Sequence, residues 1–280
     1  MASNGRRSLF GWPWGRKAEP PSEEKLGKDG PLTGMVIVAH PDDAEFICGG
    51  TVAKWCAQGW TVYYVLATSG DKGTHETELT SQDLAAMREQ EQRDACRVLG
   101  VKEVIFLGYP DGFVAPDFEL RGTVVRLLRQ YRPDVVLTWD GFRTGFNHND
   151  HRAVGIAVRD AVYPSVRDHL YYPQHAAEGL EAHQVNNLLL AGTDEPDYHV
   201  DISAHAETKL EAVLCHRSQL GERGPDELRR VWQERMKSSA NGRLTESFKW
   251  VRIGRPPRQE TSEQKEAQAA PAQPAATPSQ

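Results

Sequence analysis

No apolar run in this 280-residue chain approaches the roughly 20 residues needed to cross a bilayer, so no membrane-spanning helix is expected. Cysteine is scarce: Cys48, Cys56, Cys96 and Cys215, none of them in a C-x-x-C pair. So few in a chain of this length argue against a disulfide framework, and they read as reduced thiols in a cytoplasmic protein. Basic charge is not in excess. The chain has 33 Lys and Arg against 39 Asp and Glu, a formal net charge of -6. With no basic stripe either, nucleic acid is not an expected partner. A G-x-G-x-x-G turn and a Walker loop are both missing, which leaves little support for a nucleotide site. Arg6-Arg7 hints at an export signal, but the segment behind it is interrupted by Gly11 and Pro13 and ends at Arg16. That is too short for an apolar export region.

What is present is one sizeable domain between polar ends. Hydrophobic residues make up 39% of the chain and the mean hydropathy is -0.58. Residues 1–33 mix Gly, Pro, Lys and Glu without periodicity, and residues 255–280 are rich in Gln, Ala, Pro, Glu and Ser. Both read as disordered tails flanking a domain over 34–254. Within the domain, short apolar runs alternate with helical stretches. Met35–Ala39, Thr61–Ala67, Glu103–Leu107 and Asp134–Trp139 read as strands. Helices are expected from Gly49-Gly50 to Gly59 and over 83–99, 118–131 and 151–162. Later strands are expected at Asn187–Ala191 and Phe248–Ile253, and later helices at 203–219 and 225–238. The β-α-β-α order predicts an α/β fold with a mostly parallel sheet and helices on both faces.

Ligands of such sheets bind outside the carboxyl ends of the strands. Three polar clusters fall there. His40-Pro41-Asp42-Asp43 follows the first strand, Asp111 the third, and His148-Asn149-Asp150-His151 the fourth. Catalytic zinc takes about three protein ligands and keeps a position for water. His40 and Asp43 can clasp one ion from a single turn, and His151 can complete the set from a distant loop. Asp42, beside a ligand, is the expected general base. His148, one helical turn before His151, is the expected oxyanion stabiliser or acid, with Asp150 orienting it. Arg88 on the 83–99 helix is a candidate substrate anchor. Plainer readings exist for each. Pro41-Asp42-Asp43 can be a turn with a helix cap, Asn149-Asp150 can cap the next helix, and Arg88 with Glu89 and Glu91 can be a solvated helix face. Trp55, Trp60 and Trp139 read as core, and His216 is ambiguous.

Ala39-His-Pro-Asp-Asp43, Gly49-Gly50-Thr51 and His148-x-Asp-His151 together resemble the PIG-L/LmbE-like zinc-dependent N-deacetylases. The resemblance covers about 35–220. It takes in Arg88 in Met87-Arg-x-x-Glu91, the Leu107–Gly112 segment and His216-Arg-Ser-Gln219. It implies a Rossmann-like three-layer sandwich and hydrolysis of the acetamide of an N-acetylglucosamine moiety in a small conjugate. It also implies zinc on His40, Asp43 and His151 (ferrous iron being the alternative in the cell), Asp42 as base, His148 as acid or oxyanion stabiliser, and Arg88 as substrate contact. Members often form trimers or hexamers. Two departures stand out: Asn149 replaces a common Pro, and Phe146 replaces a Tyr that assists the oxyanion in some members. A thiol S-conjugate amidase with the same site, or a non-catalytic sugar-binding protein, are the alternative readings.

Overall fold

Each apolar run becomes a strand because both of its faces are covered. The computed structural model describes residue 26 and residues 31–145, 147–221, 224–238 and 243–253. Five parallel strands carry the fold: β1 (Thr33–Val38), β2 (Thr61–Leu66), β3 (Glu103–Phe106), β4 (Val135–Trp139) and β5 (Asn187–Ala191). Two more, β6 (Tyr198–Asp201) and β7 (Thr245–Arg252), extend the sheet antiparallel to give the order β3-β2-β1-β4-β5-β7-β6.

The helices are α1 (Asp43–Ala57), α2 (Ser81–Leu99), α3 (Phe118–Tyr131), α4 (Asn149–Val162), α5 (Ala206–Val213), α6 (Arg217–Leu220) and α7 (Pro225–Ser238). Residues of β1 alternate between two cores, as the period of two in a strand requires. Val36 and Val38 join Val52, Trp55, Ala95, Leu99 and Ala212 from α1, α2 and α5. Met35 and Ile37 join Val124, Leu128, Val154 and Val158 from α3 and α4. The expected α/β three-layer arrangement is what forms. No helix among the described residues is long and apolar enough to cross a membrane.

The sheet order reverses between β1 and β4, the switch point at which open α/β sheets leave a crevice. β1 and β4 are the two strands that run into the His40 and His148 clusters.

Several expected boundaries shift, each for a physical reason. α1 begins at Asp43, not at Gly49-Gly50, because His40–Asp43 closes a turn (Asp43 N–H to His40 O, 3.3 Å) that feeds directly into the helix. Gly50 instead lies mid-helix, where a Cβ would come within 2.6 Å of Ile202. The single helix expected over 203–219 is broken into a short 3-10 turn, α5 and α6, and His216 turns inward at the break. β6 carries too few apolar residues to be seen in the sequence. Apart from Leu26 and residues 31–33, the expected tails lie outside the described residues. Leu26 is buried in the first core and its carbonyl accepts a hydrogen bond from Asn187 Nδ2.

Candidate metal centre

The turn between β1 and α1 builds half of the site. Pro41 presets its own φ, and Asp42 then takes φ 96°, ψ -31°, close to what the third position of a type II turn demands and normally a glycine supplies. For a non-glycine residue that conformation costs about 1–3 kcal/mol. The side chain of Asp42 caps nothing in the helix. It lies 3.5 Å from Arg88 Nη2 and keeps 18% of its surface open. Burial first, and then the charge of Asp43, push its carboxyl up to about 7, against the pull of Arg88 and His216.

Asp43, one residue on, is buried and held by three N–H groups. Ala39 N, His40 N and Trp139 Nε1 all donate to its Oδ2, at 3.1, 2.9 and 3.1 Å. The other oxygen, Oδ1, lies 3.0 Å from His151 Nε2. Burial alone would raise this carboxyl. Hydrogen bonds with His151 and His40 override it and hold the group well below the ordinary carboxylate range.

The second half comes from β4 and α4. Gly155 lets α4 ride against the end of β4, since a Cβ there would meet Trp139 O at 2.4 Å. That brings the His151 ring parallel to the Trp139 indole, with centroids 4.1 Å apart and planes 8° apart. Trp139, which reads as core in the sequence, therefore orients His151 by stacking and Asp43 by hydrogen bonding.

His40 Nδ1, His151 Nε2 and the Asp43 carboxylate converge. The imidazole nitrogens are 3.2 Å apart, His151 is 3.0 Å from Oδ1, and His40 Nδ1 is 3.6 Å from Oδ2. Donors held about 2.0–2.2 Å from a tetrahedral zinc ion lie about 3.3–3.6 Å from one another. The residues present thus fit a divalent ion. His40, His148 and His151 also bring three ligand atoms within 4.8 Å. The Asp43 set offers an anionic oxygen, on a carboxylate already immobilised by three N–H donors.

Behind His40 stand two further carboxylates. Its Nε2 is 3.1 Å from Asp111 Oδ1 and 3.1 Å from Asp150 Oδ2. A carboxylate on the far nitrogen of a ligating histidine fixes its tautomer and raises its basicity. Burial would lower the His40 pKa, but hydrogen bonds with Asp111, Asp150 and Asp43 lift it to about 11. Three carboxylates around one buried imidazole favour positive charge there, whether carried by a proton or by a metal ion. Asp111 itself is lowered to about 2, its burial outweighed by His40 and by the Lys72 N–H.

The structure brings together His40, Asp43, His148 and His151, with Asp42 next to Asp43 in the turn and its carboxylate beside Arg88. It assigns Asp150 differently from the sequence reading. Asp150 accepts from Gly112 N (2.7 Å) and Val114 N (3.1 Å) and meets the His40 ring, not the His148 ring. His148 is oriented instead by its own helix: its Nδ1 accepts the Asp150 N–H at 3.2 Å as the N-cap of α4. Its ring stands edge-on to His40 at 4.8 Å. Burial, then the neighbouring His40 and His151 charges, lower its pKa.

Arg88 is neither a solvated face nor an open anchor. It is 4% exposed and donates to Pro41 O (2.6 Å) and Gly70 O (2.9 Å). Phe146 lies outside the described residues. Asp111, Trp139, Gln92, Glu45 and His216 contribute to the site without having been assigned a role from the sequence. Two of them carry a sequence signal: Asp111 by its place after a strand, and His216 by the His216-Arg-Ser-Gln219 stretch of the resemblance.

Comparison with known proteins bears on the family and the fold. Residues 35–162 match the PIG-L family, described as GlcNAc-PI de-N-acetylase. Diacetylchitobiose deacetylase of Thermococcus kodakarensis is 32% identical over 210 residues, which cover 74% of this chain and 75% of that protein. A probable N-acetyl-alpha-D-glucosaminyl L-malate deacetylase 2 of Bacillus anthracis is 26% identical, covering 78% of this chain and 90% of the relative. Among solved structures, N,N'-diacetylchitobiose deacetylase of Pyrococcus horikoshii superposes with a TM-score of 0.73 at 29% identity, covering 79% of this chain and 84% of that one.

Proposed function

The chain belongs to the PIG-L GlcNAc-PI de-N-acetylase family, and from that membership we propose that it hydrolyses the acetamide of an N-acetylglucosamine moiety in a small conjugate, using a zinc ion held by His40, Asp43 and His151. The observation that carries this reading is the convergence of His40 Nδ1, His151 Nε2 and the Asp43 carboxylate, beside a carboxylate, Asp42, that caps nothing. The named relatives act on chitobiose and malate conjugates of this sugar, which supports the substrate class.

When bound, the ion would polarise a water molecule and the amide carbonyl. Everything else falls to side chains. Asp42 takes a proton from the attacking water as its oxygen bonds to the carbonyl carbon. A carboxyl shifted toward neutrality both accepts that proton and returns it, so Asp42 can deliver it to the nitrogen as the C–N bond breaks. Acetate and the free amine leave. His148 cannot carry a proton on Nδ1 while that atom accepts the Asp150 N–H. Its proton therefore sits on Nε2, and as a neutral donor it suits the tetrahedral oxyanion better than it suits the leaving amine. Asp111 and Asp150 hold the His40 ring so that Nδ1 faces Asp43 and His151.

The test is amine release from N,N'-diacetylchitobiose, N-acetylglucosaminyl malate and a thiol S-conjugate, with zinc-loaded, iron-loaded and metal-stripped protein side by side. Metal-dependent release of acetate from a sugar substrate is expected. Cleavage of the S-conjugate alone would replace the deacetylase reading with the amidase, and absence of metal binding would end both.

A further inference from the structure

Below Asp42 runs a chain of buried polar groups that the reaction does not touch. The Asp42 N–H donates to Gln92 Oε1 at 3.1 Å. Gln92 Nε2 donates to Glu45 Oε1 at 2.9 Å, and its contact with Cys96 Sγ is a long 3.7 Å. His216 Nε2 donates to the other Glu45 oxygen at 3.1 Å. Gln92, Glu45 and His216 are all 0% exposed, and they come from α2, α1 and the break between α5 and α6. Burying a carboxylate costs several kcal/mol before it is repaid, and apolar packing would serve stability at least as well.

The direction of the chain is its meaning. Both Glu45 oxygens are met by nitrogens, Gln92 Nε2 on one and His216 Nε2 on the other, so the Gln92 amide nitrogen is turned inward. The amide oxygen then has to face the turn, where the Asp42 N–H meets it. With the amide reversed, two donors would collide there. One helical turn earlier on α2, Arg88 takes Pro41 O. Between them, Arg88 and Gln92 hold both polar atoms of one peptide unit, the one that leads into Asp42, the non-glycine residue of this turn with a positive φ. Ser218, two residues beyond His216, ties the same segment to α2 through Glu91, by Ser218 N (2.9 Å) and Oγ (2.6 Å).

We propose that Gln92, with its amide oriented by Glu45 and His216, is a positioning residue that keeps Asp42 in its strained conformation with its carboxylate at the reacting water. The inference rests on the reading of Asp42 as general base. It also gives a part to His216, a residue whose role the sequence leaves open.

The experiment measures kcat per bound metal ion, KM and metal content for Gln92→Met, Glu45→Gln, their double variant and Gln92→Glu. Gln92→Met removes the acceptor, and Glu45→Gln lets the Gln92 amide reverse. Each is expected to lower kcat per metal ion by about 10- to 100-fold, the cost of a misplacement of about 1 Å, with KM and metal content unchanged. The double variant is expected to lose no more than the worse single one, because both break the same chain. Gln92→Glu keeps an acceptor for the Asp42 N–H but sets a carboxylate against Glu45, so it should recover part of the loss only when Glu45→Gln is made with it. A crystal structure of Gln92→Met should show Asp42 released from its positive φ. Wild-type kcat per metal ion in Gln92→Met, or losses that multiply in the double variant, would overturn the proposal. If Gln92→Met does not fold, the near-isosteric Glu45→Gln decides by the same readout. Asp42→Asn is measured alongside. Turnover in that variant would remove the premise, whereas an inactive Asp42→Asn beside a fully active Gln92→Met would remove this inference alone.

Discussion

Between β1 and α1 the chain spends residues 39–42, and between β4 and α4 it spends residues 140–148. Both connections end parallel strands at the switch point, and both deliver imidazole and carboxylate groups to one crevice. The short one is a single hydrogen-bonded turn, with His40 and Asp43 buried. Every group in it is over-determined: Asp43 Oδ2 by three N–H donors, Asp42 N by Gln92, Pro41 O by Arg88. The long one exposes residues 142–145 and is tethered by few bonds, chiefly Thr144 N and Oγ1 to Asp194 at 2.8 and 2.6 Å. The ligand proposed on this side, His151, belongs to the helix and not to the loop. The lesson is a division of labour. On the reading proposed above, the groups that would meet a small ion within a few tenths of an ångström sit on the turn and the helix, while the loop would be free to vary with the substrate.

Breaking the rigid side should cost most. His151→Ala removes a ligand that nothing else replaces, so metal content measured by atomic emission should fall sharply and turnover with it. Retained stoichiometric metal would mean that His148 takes the third position after all. Asp42→Ala should keep its metal and lose about 10²–10⁴-fold in kcat, the usual worth of a positioned base. Full activity in that variant would remove Asp42 from the reaction. His148→Ala, at the junction of loop and helix, should cost about 10²–10³-fold, the size of one lost oxyanion donor. A loss confined to KM would instead place His148 in substrate binding.

The smallest change should come from the loop itself. Asp194→Ala unties Thr144 and should raise KM by a few-fold, one or two net hydrogen bonds of about 1 kcal/mol each, with kcat and metal content untouched. A loss of metal in Asp194→Ala would show that the loop is part of the rigid site and would erase the contrast.

The strands and the proposed ligand triad are legible for different reasons. A parallel strand buried on both faces has to be a continuous apolar run, so Met35–Val38 and Val135–Trp139 announce themselves. His40, Asp43 and His151 carry chemistry in their side chains and sit where such strands end. The supporting groups were not legible in this way. Arg88 and Gln92 lie among Glu89, Glu91 and Arg93 on a helix whose composition reads as solvated, and only the packing of α2 against α1 shows that they point inward. Asp150 sits two residues from His148 but its carboxylate reaches His40, because the N-cap geometry turns its backbone, and not its side chain, toward His148. Trp139 looked like core because an indole is mostly apolar. Its single N–H found Asp43 across the switch point.

By itself, the sequence determined the alternation of strands and helices, the family, and the donor atoms available for a metal, because all of these follow from local patterning and from side-chain chemistry. Only the tertiary structure decided which atoms meet. It put Asp111 and Asp150 on one imidazole, stacked His151 on Trp139, and joined Asp42 to Gln92, Glu45 and His216. Those contacts span segments far apart in the chain. A hydrogen bond is set by position and direction in space, and neither exists until the helices have packed on the sheet.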